Sequence, residues 1–140
     1  MNWTEQRPAL THAAVMEMLR SGIAKAEEIE RPQCIVIVDA SGELLGEIRM
    51  TGAKFLSRKS ALAKARTAAS IGGPSASVPE MVRPAIAAAT GGDVTGLPGG
   101  LPIKKNGAVL GGIGVGSGTG EEDIAVARAA LAAVGLEDID

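Results

Sequence analysis

Two aromatic residues, Trp3 and Phe55, stand against 19 glycines in a chain of 140 residues. Large rings supply much of the buried area in most cores; here that volume must come from Ala, Val, Ile and Leu. A core of small side chains reaches normal density only if backbones approach closely. That suits helices laid directly on a sheet, or a subunit interface that completes the burial. Hydrophobic residues make up 46% of the chain and charged residues 21%, which excludes a disordered composition. The length predicts one domain over residues 1–140, with its core at about residues 8–135.

Fourteen basic residues face sixteen acidic ones, for a net charge of −2. No basic footprint marks nucleic acid or an anionic membrane surface as a partner. One Cys and one His can build neither an intramolecular disulfide nor a Cys/His zinc site, so no metal centre is expected. Residues 1–8 lack a basic stretch followed by an apolar run, and aliphatic runs such as residues 35–38 fall far short of the ~20 residues of a spanning helix. The expectation is a cytoplasmic protein.

Apolar positions at steps of three and four (Leu10, Ala14, Val15, Met18, Leu19, Ile23, Ala26) predict an amphipathic helix over residues 10–29. Residues 35–38 read as a strand buried on both faces, and residues 44–50 as its hairpin partner across the turn formers of residues 39–42. A second helix spans residues 57–71 with Leu62, Ala65, Ala68 and Ala69 on its inner side and Lys59, Lys64 and Arg66 elsewhere. An irregular stretch follows, with a short helical piece at about residues 79–89. Asn106-Gly107 predicts a hairpin between residues 101–105 and 108–115, since both central residues of a type I′ turn need positive φ. Thr119 to Glu122 forms a capping box opening a last helix, with Ile124, Ala127, Leu131 and Val134 as its buried stripe. Helix, hairpin, helix, irregular segment, hairpin, helix gives an α/β (α+β) sandwich on a largely antiparallel sheet.

The glycine run at residues 111–118 sits between strand and helix, where backbone amides can cradle phosphate. It lacks the spacing of a dinucleotide fingerprint, and Glu121, Glu122 and Asp123 would repel an anion; the glycines read better as a close-packing surface. Asp39 is either a general base or a turn-stabilising carboxylate. Arg49 offers planar recognition of a carboxylate, and Lys64 a point charge or, if desolvated, a nucleophile. His12 is the only imidazole, and Cys34 reads as a small core residue. Two functions stay open on these residues. One is a small-molecule binding protein. The other is a small catabolic hydrolase, deaminase or isomerase in which Arg49 holds an anionic metabolite while Asp39 or Lys64 moves protons.

Val36-Ile37-Val38-Asp39, Gly42, Leu44-Leu45, Arg49-Met50, Gly52-Ala53, Ser57, Lys64-Ala65, Thr67-Ala68 and Gly99-Gly100-Leu101-Pro102-Ile103 form an ordered set, continued by Val109 to Val115, Gly116-Ser117-Gly118, and Asp123 with Ala127. The set resembles the GlcG/HbpS family, which includes the C-terminal domain of PduO-type proteins. Thr51 stands where that family usually has Asp, and Arg66 where an aromatic is common. The resemblance implies a profilin-like sandwich with a five-stranded antiparallel sheet flanked by helices, assembled as a homo-oligomer. It implies haem or another tetrapyrrole as the ligand, or a role accessory to catabolic enzymes. The implied pocket is framed by Arg49, Lys64, Thr95, Gly99 and Gly100, with His12 as a candidate axial ligand.

Overall fold

The computed structural model describes residues 1–136. Helix α1 (His12–Glu28) starts where Thr11 Oγ1 accepts the Ala14 N–H, and it buries Val15, Met18, Gly22 and Ala26 at steps of three and four. Strand β1 (Cys34–Asp39) is buried from Cys34 through Val38, and β2 (Leu44–Arg49) returns beside it. Helix α2 (Ser57–Ile71) ends at Gly72. Two 3-10 turns, Ser75–Ser77 and Glu80–Val82, then lead into the short helix α3 (Arg83–Ala89). Strands β3 (Gly100–Lys105) and β4 (Ala108–Gly116) form the second hairpin, its turn made by Asn106 at φ 50° and Gly107 at φ 80°. Helix α4 (Gly120–Ala133) closes the fold behind the expected capping box of Thr119 and Glu122.

The sheet is antiparallel throughout, in the order β2-β1-β4-β3. Alternation along β1 sorts its side chains between two layers. Ile35 and Ile37 join Val15, Met18, Val126, Ala130 and Leu131 under α1 and α4, whereas Cys34, Val36 and Val38 meet Ala61, Ala65 and Ala69 of α2. This is the expected sandwich with one correction: the sheet has four strands among the described residues, not five. Residues 72–99 hold Pro74, Pro79, Pro84 and Pro98 and coil into turns and α3, so this long connector supplies no fifth strand.

Two helix faces differ from expectation in phase. On α4, Ala127 and Leu131 are buried as expected, but Val126 and Ala130 complete the stripe while Ile124 and Val134 lie at its margin. On α2, Lys64 belongs to the inner face, 5% exposed.

Gly112, Gly114 and Gly116 alternate along β4 and turn one glycine surface toward α2. A methyl group at Gly112 would run into the Ala65 carbonyl oxygen, and one at Gly114 into that of Ala61. Helix backbone therefore rests on strand backbone, and Ala61, Ala65 and Ala68 are fully buried with almost no side-chain thickness between the layers. Gly114→Ala should lower unfolding stability by about 3 kcal/mol through overpacking. Gly107→Ala, in open space but at positive φ, should cost about 1 kcal/mol; urea midpoints of the two variants check the order.

Candidate functional site

A long concavity runs along the α1 face of β2, where α1 stands as a wall. Gly46 lets the helix close in: an added Cβ would lie 2.8 Å from Val15 Cγ1. Beyond that contact the groove opens as two adjoining clefts of about 560 and 580 Å³ that share Ile23, Glu27 and Ile48. One continues along Met16 and Leu19, and the other ends at Arg31, Arg49, Met50 and Thr51. The volumes suit a small organic ligand. Arg31 is paired with Glu122 at 3.1 Å, and Met50 Sδ accepts the Gln33 N–H at 3.4 Å. Arg49 is exposed, and among the described residues no carboxylate pairs with it.

Lys64 lies elsewhere, inside the protein. Its Nζ donates to the Val115 carbonyl at 2.8 Å and to Asp123 Oδ2 at 3.0 Å. Asp123 Oδ1 accepts the Gly118 N–H at 3.0 Å and, with the Gln33 amide turned so that its nitrogen donates, Gln33 Nε2 at 2.8 Å. Burial pushes the Asp123 carboxyl up, while Lys64 and the Gly118 N–H pull against that rise. Gly99, at φ 121°, fits over the pair because a Cβ there would sit 2.9 Å from Asp123 Cβ and 3.1 Å from Lys64 Nζ. Gly100 follows against the Lys64 carbonyl, its N–H donating to Ser75 Oγ at 2.9 Å.

The expected site residues thus fall into separate places. Lys64, Gly99 and Gly100 meet in one buried cluster, and Arg49 lines the groove. Thr95 borders a third cleft, its N–H donating to Thr67 Oγ1 at 3.0 Å and its own Oγ1 accepting from Leu97. His12 is exposed in the first turn of α1, one turn before Met16 on the same face and about 22 Å along the helix from Glu27. Asp39 Oδ1 accepts the N–H groups of Ser41 and Glu43 at 2.8 and 3.0 Å, the work of a turn carboxylate. Lys64 Nζ is bound at Val115, level with Ile35, so Asp39 lies about 13 Å farther along β1 and the two share no reaction centre. Cys34 is buried, and that burial pushes its thiol up, away from the reactive thiolate. Among the described residues no three His, Cys, Asp or Glu side chains gather as metal ligands. No helix of the described residues is long and apolar enough to cross a membrane.

Sequence reasoning left out Gln33 and the role of Asp123, both buried. The signal for Asp123 was present: three carboxylates open α4, and the third occupies an inner position one turn after Thr119. The groove-lining Ile23 and Ile48 carried no signal beyond apolarity.

Removing one partner of the buried ion pair strands the other. Lys64→Met should cost about 3–5 kcal/mol at neutral pH, and Lys64→Met/Asp123→Asn should recover most of it. Without Lys64, burial holds the folded-state pKa of Asp123 above its unfolded value. The penalty is then absent below the unfolded pKa and grows as pH rises through the folded one. Denaturation of Lys64→Met at a series of pH values should therefore show its deficit shrinking toward about pH 4.

A family model described as haem-degrading protein HbpS-like matches residues 10–132. The crystal structure of Klebsiella pneumoniae protein ORFY superposes with a TM-score of 0.92 at 29% identity, covering 99% of both chains. That of a PduOC:heme complex superposes with a TM-score of 0.86 at 27% identity, over 93% of this chain and 98% of that one. The corrinoid adenosyltransferase PduO of Citrobacter freundii is 30% identical over 94% of this chain; the chain spans about two-fifths, 41%, of that relative's length. The ordered motifs, the four-stranded sandwich and the residues matched agree: the chain belongs to the HbpS-like family.

Proposed function

We propose that this protein binds a flat, carboxylated tetrapyrrole of the haem type in the groove between α1 and β2. The observation that carries the reading is likeness over almost the whole chain to a PduOC domain described as a heme complex. The groove has the lining such a ligand needs. Ile23, Ile48 and Met50 supply apolar surface for the ring; Arg49 borders the cleft but leaves β2 on the face of Cys34, so its unpaired guanidinium meets a carboxylate at the rim only by reaching round the sheet edge. Glu27 and Glu30 line the same cleft, so repulsion favours the carboxylate at Arg49 over the floor. Met16 and His12 follow one another on the outer face of α1, placing a thioether and an imidazole toward the far end as candidate donors to a metal. Iron held there would supply redox or ligand-binding chemistry, while the chain's own residues hold the ring and neutralise its charge. Lys64 takes no part, because its ammonium is committed to Asp123 and Val115.

Titration of the purified protein with hemin should give a saturable shift in the Soret band at one ligand per chain. Arg49→Ala should weaken binding by about tenfold, the worth of one charge-assisted hydrogen bond. His12→Ala should move the band with less effect on affinity. A shift that never saturates, or one that Arg49→Ala leaves untouched, removes the groove as the site.

A further inference from the structure

The cleft that Thr95 borders lies on the α2 side of the sheet, away from α1. Lys59, Leu62, Ala63 and Arg66 line it and recur along α2 at steps of three and four, so they form one stripe of the helix. A cation stands at each end, with aliphatic surface between. Two helical turns separate the cations, about 10 Å along the axis. The connector after α3 makes the opposite wall, held against the helix where Thr67 Oγ1 accepts the Thr95 N–H at 3.0 Å. The space between is about 400 Å³. A neighbouring cleft of about 490 Å³ reaches the β1–β2 turn at Gly42 and Glu43. Arg66 and Asp93 line both, so their ion pair, 3.1 Å from Nη1 to Oδ1, is the partition between them.

The two halves of that partition are held unequally. Arg66 is half-buried, and its Nε donates to the Gly42 carbonyl at 3.0 Å, which fixes the guanidinium against the β1–β2 turn. Its Nη2 has no acceptor among the described residues. The Asp93 side chain is 55% exposed and follows Gly91 and Gly92, both at positive φ with open space around them. An exposed pair of this kind is worth at most about 1 kcal/mol, so another carboxylate can take the place of Asp93 at little cost. Lys59 is exposed, and among the described residues no carboxylate pairs with it. Thr95 Oγ1 accepts the Leu97 N–H and keeps its own proton to donate.

Two cations joined by an apolar strip, one of them already holding a carboxylate of the chain, define the ligand by its ends. We propose that this cleft is a second binding site, for a short-chain organic dicarboxylate. One carboxylate replaces Asp93 on the Arg66 guanidinium, the hydrocarbon chain lies along Leu62 and Ala63, and the other carboxylate meets Lys59. Glu43 lines only the neighbouring cleft, so repulsion directs the ligand toward the Lys59 end. The site does not rest on the tetrapyrrole reading, and hemin is left out of its test because hemin also carries carboxylates.

Amide shifts of the ¹⁵N-labelled protein titrated with adipate at low ionic strength should saturate together at Gly91, Gly92, Asp93 and Thr95. The dissociation constant should be about 1 mM, ordinary for a ligand of this size. Hexanoate, equally long but with one carboxylate, should bind at least about threefold more weakly, and Lys59→Gln should erase that difference. Arg66→Gln should weaken both about tenfold. Asp93→Asn should tighten both about threefold, because the internal competitor for the guanidinium is gone. Lys105→Gln, the same charge change on the β3–β4 hairpin, should leave binding as it is. Arg66→Gln also loses the bond to Gly42, so circular dichroism checks its fold, whereas Lys59→Gln and Asp93→Asn alter exposed side chains only. Shifts that never saturate, adipate and hexanoate bound alike, inorganic phosphate bound more tightly than adipate, or weaker binding by Asp93→Asn would each overturn the proposal.

Discussion

The fold hangs on the contact of α2 backbone with the glycine face of β4. With Gly112 and Gly114 beneath the carbonyls of Ala65 and Ala61, the helix sits closer to the sheet than any side chain would allow. Dispersion between backbones and methyl groups replaces the contribution rings make elsewhere. The cost is intolerance: no residue but glycine fits those positions, so the layer spacing is fixed by steric exclusion as much as by attraction. Cys34, Val36 and Val38 are fully buried under α2 for the same reason, although the helix offers them mostly alanine.

The same closeness explains where Lys64 goes. A helix carried this near the sheet cannot keep a long side chain between the layers. Lys64 instead runs past the end of β4, where the Val115 carbonyl and Asp123 receive it. The pair ties α2 to the first turn of α4 across the sheet's lower edge, and Gly99 makes room for it in the approach to β3. Three elements distant in sequence are thereby fixed at one point by groups that must stay paired, since neither charge has water to fall back on.

The architecture was legible where periodicity or turn chemistry dictates it. The 3.6-residue rhythm of α1, the double burial of β1, the Asn106-Gly107 turn and the Thr119–Glu122 box are local signals, and each element formed as read. The resemblance carried a fifth strand that the residues themselves did not ask for, and the prolines of the long connector explain why it supplies none. Lys64 was placed on the wrong side of α2 because hydropathy treats an ammonium as a surface group; only the three-dimensional position of Asp123 makes the inner side affordable. Arg49 and the apolar groove beside it were half legible. The cation was visible in the sequence, but Ile23 and Ile48 became neighbours only when the edge strand met the helix, a juxtaposition no local pattern encodes.

The two edges of the sheet, β2 and β3, differ, and the difference sets a valence. A sheet open on both sides can recruit strands without limit, which is how cross-β fibres grow. Here Ser75, Pro102 and the terminal lysines of β3 leave a single acceptor side per chain. Any strand that docks on β2 exhausts the capacity for edge pairing. Strand addition is therefore self-limiting, and a chain rich in β-branched and small apolar residues is protected from templated polymerisation by the chemistry of one border.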